Sequence, residues 1–200
     1  MTPLDHVVAI GLVLDSLDVP WVLGGSMASS MVGEPRSTMD IDVAVALGLG
    51  NLDRLVAAVK DEYYVSAEMA RDAVLRHSSF NLIHLATGMK VDLFPLSNDP
   101  LDVRQLAGRQ QVDVAPGVSV WVGAPADQVL RKLRWYRLGG DVSERQWRDV
   151  LSILRVQGSR IDREQLLIDA GPLDLADLVA RAIDEIGRDN GIAVSVDEPH

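Results

Sequence analysis

The chain has 200 residues, 48% of them hydrophobic, which is enough for one medium-sized domain or two small ones with a buried core. Its 19 Lys and Arg stand against 29 Asp and Glu, so a net charge of −10 argues against general adhesion to nucleic acid or anionic membranes, though not against a local basic patch. With no cysteine, disulfides and thiolate metal sites are excluded. An acidic N-terminus and the lack of a long apolar run argue against a signal peptide and a membrane span, and we expect a cytoplasmic protein.

Hydrophobic periodicity predicts a mixed α/β domain over residues 1–123. The domain begins with a helix over 3–17, for which Thr2 is the expected N-cap, followed by a short strand over 21–23. Further helices are predicted over 26–32, 52–59, 67–76 and 101–106, and further strands over 41–46, 63–65, 79–86, 90–94 and 110–122. Thr87-Gly88 is expected to form a tight turn, and Pro116-Gly117 to break the last strand.

After Pro125 every segment has a helical period, which predicts a helical domain over 124–190 and a tail over 191–200. The expected helices cover 126–138, 143–156, 162–169 and 173–187. The predicted fold class is therefore α+β, with a mixed sheet and flanking helices followed by a C-terminal helical bundle.

One stretch combines a glycine turn with a pair of acids. The apolar run 21–23 leads into Gly24, Gly25 and Ser26, and Asp40 and Asp42 follow at alternate positions. Residues at i and i+2 of a strand lie on one face about 7 Å apart, so these carboxylates would repel each other. Mg²⁺ removes that cost and is usually held by one or two carboxylates plus substrate phosphates. Glycines allow backbone N–H groups at a helix start to approach phosphate oxygens.

A third acid, Asp92, lies on a later predicted strand. A glycine turn, two acids two residues apart and a third acid on a neighbouring strand resemble the nucleotidyltransferase superfamily, which shares the fold of polymerase β. The resemblance covers roughly residues 20–150 and implies a nucleotidyltransferase-like mixed sheet.

Within that superfamily the chain is most similar to the AbiEii-type toxin nucleotidyltransferases, the group that includes the MenT toxins. Three later features match this group in order: Lys90 with Asp92, Gln128 with Lys132 on a helix, and Asp149 on the next helix. The last two features are weak by themselves.

The resemblance implies a Mg²⁺-dependent enzyme that moves a nucleoside monophosphate from a nucleoside triphosphate to an acceptor hydroxyl. Two Mg²⁺ ions would be held by Asp40, Asp42 and Asp92, and Asp92 would also face the acceptor hydroxyl. The residues expected to bind the nucleotide are Gly24, Gly25, Ser26, Lys90, Gln128, Lys132 and Asp149.

The implied acceptor is the 3′ end of a tRNA, and a cognate antitoxin is the implied partner. A protein hydroxyl or a small molecule such as an aminoglycoside stays open as acceptor, and so does a non-catalytic nucleotide-binding module of the same fold. A basic cluster is the only candidate RNA contact in this acidic chain, and it comprises Arg131, Lys132, Arg134, Arg137, Arg145 and Arg148.

Helical geometry places Gln128 and Lys132 opposite the apolar face of their helix, where they are free to line a cleft against the first domain. An ordinary exposed face explains them equally well, and Asp149 could simply pair with Arg145 one turn earlier. Arg36, in the connector before the acids, is open as a phosphate or acceptor contact or as a plain loop residue.

Overall fold

The computed structural model describes the backbone of residues 1–194 and side chains up to residue 188. The chain divides into two compact units. The sheet unit consists of Met1–Ala28 and Arg36–Ala124, and the helical unit consists of Ser29–Pro35 and the chain from Pro125 onwards.

The sheet unit contains a seven-stranded sheet and its flanking helices. Its strands are β1 (Trp21–Leu23), β2 (Ile41–Val45), β3 (Tyr63–Tyr64), β4 (Phe80–His84), β5 (Lys90–Pro95), β6 (Gln110–Ala115) and β7 (Val118–Val122). Its helices are α1 (Pro3–Ser16), α3 (Leu49–Val59), α4 (Ala67–Arg76) and α5 (Pro100–Ala107), and α2 (Gly25–Val32) begins here and ends in the helical unit.

The strand order is β3-β4-β5-β2-β1-β7-β6. The pairs β2–β5 and β1–β7 are parallel, and the other neighbours are antiparallel, so the sheet is mixed as predicted. One face is apolar and buried: in β2, Ile41, Val43 and Val45 are buried while Asp42 is half-buried on the opposite face. This alternation is typical of a strand with one covered face, whereas β1 is buried at all three of its positions.

Helix α1 packs against β1, β2 and β7 on the buried face. The side chain of Thr2 accepts a hydrogen bond from the N–H of Asp5, and the carboxylate of Asp5 accepts one from the N–H of Thr2, which confirms the predicted N-cap. Gly11 lets the ring of Trp21 lie directly on the helix, since a Cβ there would stand 2.4 Å from a ring carbon. The indole N–H of Trp21 donates to Asp15 at 2.8 Å.

The helical unit is built from α6 (Pro125–Leu138), α7 (Glu144–Gln157), α8 (Arg163–Ala170) and α9 (Ala176–Val194). The last predicted helix starts later than expected, because Pro172 lies in a 3₁₀ turn, Gly171–Leu173, which interrupts the chain before α9. Residues 191–194 of the predicted tail belong to α9, and residues 195–200 lie outside the described residues. Among the described residues, no helix has both the length and the apolar character needed to cross a bilayer.

The segment 29–35 is fastened to α7. The N–H of Glu34 donates to the Ser152 hydroxyl at 2.6 Å, and the side-chain amide of Gln157 donates to the carbonyl of Val32 at 2.5 Å. Gly33 allows this approach, because a Cβ there would stand 2.6 Å from the same hydroxyl. Side-chain bonds to α7 thus place the end of α2 in the helical unit rather than with the sheet.

Candidate active site

Two of the predicted acids lie side by side on one face of the sheet. Asp42 of β2 and Asp92 of β5 are direct partners in the parallel register. Neighbouring strands lie about 4.8 Å apart, and residues paired in register carry their side chains on the same face. Both side chains are half-buried. The sheet therefore brings together two carboxylates that are 50 positions apart in the chain.

The glycine turn lies directly against one of these carboxylates. Gly25 has a φ of +59°, and a Cβ built on it would stand 1.8 Å from Oδ2 and 2.7 Å from Cγ of Asp42. The N–H of Gly24 donates to the carbonyl of Asp42 at 2.8 Å, which ties the turn to β2. Only glycine fits at position 25, both for its backbone conformation and for the space left by the carboxylate.

Asp40 lies just outside β2. It precedes the first residue of β2, is exposed, and its N–H donates to the hydroxyl of Thr38 at 3.2 Å. In the described part of the chain, no group of three or more His, Cys, Asp or Glu side chains is arranged to hold a metal ion. The meeting of all three aspartates around two Mg²⁺ ions therefore stays a prediction.

The residues that do meet fit a divalent cation in their donor chemistry. Asp42 and Asp92 present carboxylate oxygens to the same side of the sheet, and Mg²⁺ prefers oxygen ligands. Because Gly25 has no Cβ, Oδ2 of Asp42 lies directly against the glycine turn. These two aspartates, with Asp40 two residues away, are the groups that would hold the metal.

Two basic side chains lie close to these groups, Lys90 beside Asp92 and Arg36 at the glycine turn. Lys90 Nζ stands 3.0 Å from Oδ1 of Asp92, which places the lysine on the same side of β5 as the acid. Arg36 donates from its guanidinium to the hydroxyl of Ser26 at 2.5 Å, and Ser26 is buried in the first turn of α2. The arginine is thus held at the glycine turn by a specific bond, which disfavours the interpretation of Arg36 as a plain loop residue.

Asn81 is a site residue that was not predicted from the sequence. In β4 it pairs across the antiparallel ladder with Asp92, so Asn81, Asp92 and Asp42 form a row across three strands on one face. The sequence did contain a signal for this pairing. The predicted turn at 87–88 joins the strands predicted over 79–86 and 90–94, and the turn of a hairpin fixes which residues pair across it. A half-buried amide beside Asp92 adds a hydrogen-bonding group to the row.

The three motif residues of the helical unit are buried. Gln128, Lys132 and Asp149 are 1%, 4% and 5% exposed, so the interpretation as an ordinary exposed face is wrong for Gln128 and Lys132. Lys132 of α6 donates to Asp149 of α7 at 2.7 Å. The side-chain nitrogen of Gln128 is buried with no hydrogen-bond partner in the structure. The role of these residues in binding nucleotide stays a prediction.

The basic cluster is partly neutralised within the helical unit. Lys132 is paired with Asp149, and Arg137 donates to Asp177 at 2.7 Å and lies 3.3 Å from Asp141. The cluster therefore offers less positive charge to an RNA backbone than its sequence count suggests.

A shallow cavity of about 620 Å³ lies in the sheet unit near the ends of β2 and β5 that are distant from the acids. Its largely apolar lining includes Ala46, Leu47, Leu96 and Leu106. None of the predicted site residues lines it.

No family model matches the chain, and no curated protein sequence matches it. Solved structures do match. An antigenic nucleotidyltransferase-like protein from Paracoccidioides brasiliensis is 16% identical with a TM-score of 0.56, over 89% of this chain and 92% of that chain. The antibiotic-resistance factor ANT(2″)-Ia is 14% identical with a TM-score of 0.53 in solution, over 94% of this chain and 95% of its own. The crystal structure of ANT(2″)-Ia in complex with adenylyl-2″-tobramycin matches with a TM-score of 0.50, over 91% of this chain and 96% of that chain. These likenesses confirm the predicted fold class: the chain has a nucleotidyltransferase-like α+β fold.

Proposed function

We propose that the chain is a nucleotidyltransferase that moves a nucleoside monophosphate from a nucleoside triphosphate to an acceptor hydroxyl. The observation that carries this proposal is the direct pairing of Asp42 with Asp92, with Gly25 seated against the Asp42 carboxylate. Two adjacent carboxylates beside a glycine turn at the start of a helix combine a cation site with a phosphate site.

The reaction forms a bond between the acceptor oxygen and the α-phosphorus and breaks the bond from the α-phosphorus to the bridging oxygen, so that pyrophosphate leaves. When bound, divalent cations stabilise the attacking and leaving oxygens of such a displacement. Asp92 is suited to accept the hydroxyl proton, because a carboxylate within reach of the nucleophile acts as a general base. Lys90 Nζ, 3.0 Å from Oδ1 of Asp92, brings a positive charge next to the same carboxylate.

The triphosphate is held at the glycine turn. Backbone N–H groups at the N-terminus of α2 point towards the turn, and helix N-termini are suited to phosphate oxygens. The Arg36 guanidinium, bonded to the Ser26 hydroxyl, supplies positive charge at the same turn.

Two acceptors are supported by different observations. The AbiEii-like order of motifs favours a tRNA 3′ end, with a cognate antitoxin as partner. The structural likeness to ANT(2″)-Ia, solved with adenylyl-2″-tobramycin, favours a small molecule that carries hydroxyl groups. We place the tRNA end first, since the motif order extends to Asp149.

The test incubates the protein with each nucleoside triphosphate, labelled at the α-phosphate, together with Mg²⁺ and either total tRNA, a protein mixture or an aminoglycoside panel. A parallel γ-label separates nucleotidyl from phosphoryl transfer, and EDTA should abolish the reaction. Asp42→Asn and Asp92→Asn should each lower transfer by about 100-fold or more, because even residues that only support metal ligands cost about 10–100-fold.

Asp113→Asn is the matched control, since Asp113 is an exposed acid on β6. It should keep wild-type activity. Absence of transfer from any α-labelled nucleotide to any acceptor, or full activity of both site variants, would overturn the enzyme assignment. Nucleotide binding without transfer would indicate a non-catalytic module instead.

A further inference from the structure

We propose that the face of the sheet bearing the carboxylates continues into an acceptor-binding surface formed by Tyr64, Ile83 and Lys90, on which bases of a single-stranded nucleic acid stack. The inference rests on the proposed function and names the chemical class of acceptor that the site takes. It concerns the hairpin side of the sheet, where Lys90 is the one member of the surface that was also predicted to bind the nucleotide.

The strand register places these three residues in one row. Tyr64 of β3 pairs with Ile83 of β4, and Ile83 pairs with Lys90 of β5. The adjacent row on the same strands contains Asn81 and Asp92. Because Ile83 and Asn81 are two positions apart in β4, as are Lys90 and Asp92 in β5, both rows lie on the same face.

Tyr64 and Ile83 of this row are exposed, whereas the side chains on the opposite face of the same strands are buried. The exposed fractions are 58% for Tyr64 and 39% for Ile83, whereas their strand neighbours Tyr63 and His84 are only 3% and 7% exposed. Tyr64 lies on an edge strand of two residues, so its ring is accessible from the side as well as from above. An accessible aromatic ring next to an aliphatic side chain is a flat apolar surface suited to a base.

The spacing suits a nucleic-acid strand whose terminal hydroxyl lies at Asp92. Tyr64 lies two strands from Asp92, about 10 Å across the sheet, and one pleat repeat, about 7 Å, along it. Its ring is therefore one or two nucleotides away from a terminal hydroxyl placed at Asp92. Lys90 lies between them and stands 3.0 Å from Asp92, where its charge reaches an intervening phosphate.

The chemistry of the row discriminates between acceptors. It contains an aromatic ring, an aliphatic side chain and a cation, and none of its three members is acidic. A polycationic aminoglycoside would gain nothing from Lys90, whereas a base attached to a phosphodiester contacts both the ring and the ammonium. A sheet face with exposed aromatic side chains is also a known platform for single-stranded RNA.

The experiment separates acceptor binding from catalysis. A fluorescein-labelled single-stranded RNA of mixed sequence with a free 3′-hydroxyl is titrated with the full chain carrying Asp42→Asn, which blocks turnover, and with the same chain carrying Tyr64→Ala, Tyr64→Phe or Met69→Ala in addition. Met69 is 66% exposed on α4 and serves as the apolar control. In the otherwise wild-type chain, KM for RNA and for nucleotide is measured for the same three substitutions.

Tyr64→Ala should weaken RNA binding about 5- to 150-fold, the equivalent of about 1–3 kcal/mol for one stacked base, and raise KM for RNA while KM for nucleotide stays unchanged. Tyr64→Phe should keep wild-type affinity, because the ring remains. The surface is refuted if Tyr64→Ala binds RNA as tightly as Met69→Ala, or if the wild type modifies aminoglycoside or protein but not RNA. Those results leave the proposed function standing, whereas absence of transfer to every acceptor removes the function itself and the acceptor role with it.

Discussion

Replacing Gly25 by alanine tests the geometry of the site most directly. The added Cβ would stand 1.8 Å from Oδ2 of Asp42, and ordinary contact begins at 3.4 Å. Either the carboxylate or the glycine turn must move by more than 1 Å to relieve the overlap. The backbone is also in the left-handed region, with a φ of +59°, which costs an alanine about 1–2 kcal/mol.

The consequence for activity follows from this displacement. A misplacement of about 1 Å at a reacting centre can cost about 10²-fold in rate, so Gly25→Ala should lower kcat/KM by about 10²-fold or more. Stability should fall by at least the backbone cost of about 1–2 kcal/mol. The first quantity is measured by transfer of α-labelled nucleotide, and the second by urea unfolding.

Gly117→Ala is the matched control. Gly117 also has a left-handed φ, +73°, but no atom lies within 4 Å of a Cβ built there. This variant should lose about 1 kcal/mol of stability and keep its transfer activity. Wild-type kcat/KM in Gly25→Ala, or an equal loss of activity in Gly117→Ala, would refute the reasoning, since activity would then not depend on the contact with Asp42.

Three further predictions concern stability. Gly11→Ala should destabilise the fold by about 1–2 kcal/mol in urea unfolding, because overpacking against Trp21 costs about 1–3 kcal/mol and outweighs the better helix propensity of alanine. Lys132→Met should cost about 3–5 kcal/mol, because it removes the ammonium 2.7 Å from the carboxylate of Asp149 and so breaks a buried ion pair. Burial lowers the pKa of His6 from its usual 6.5. The contribution of neutral His6 to the free energy of unfolding should therefore be fully present above pH 6.5 and should be lost as the pH falls from 6.5 towards the lowered pKa. Urea unfolding across that pH range measures this loss.

Each of these predictions has a control in the chain. Gly50→Ala, in α3 with open space around its Cβ, should be neutral or stabilising, and equal losses from Gly50→Ala and the substitution beside Trp21 would contradict the overpacking argument. Combining Lys132→Met with Asp149→Leu should recover most of the lost stability, and no recovery would show that the pair is not the cause. His77→Asn removes an exposed histidine and should leave the acid dependence unchanged; a dependence that disappears in this variant would exclude His6 as its origin.

The sequence was sufficient for the fold class and for the elements. Helix and strand periods are local properties, and the switch to helical segments at Pro125 was visible in the chain itself. The N-cap at Thr2 and the glycine turn before α2 were predictable because their signals lie within a few residues. The start of the last helix was misjudged, because a 3₁₀ turn, Gly171–Leu173, comes first and α9 begins only at Ala176.

The tertiary structure decided how distant residues meet. The sequence identified Asp42 and Asp92 as candidates by resemblance, but their direct pairing depends on the register of two parallel strands that are not consecutive in the chain. The row that contains Asn81 and the exposed row that contains Tyr64 depend on the same register. The burial of Lys132 likewise required the packing of α6 against α7. Local periods depend on neighbours within one turn or one pleat, whereas register and burial depend on the free energy of packing the whole chain, which no single stretch contains.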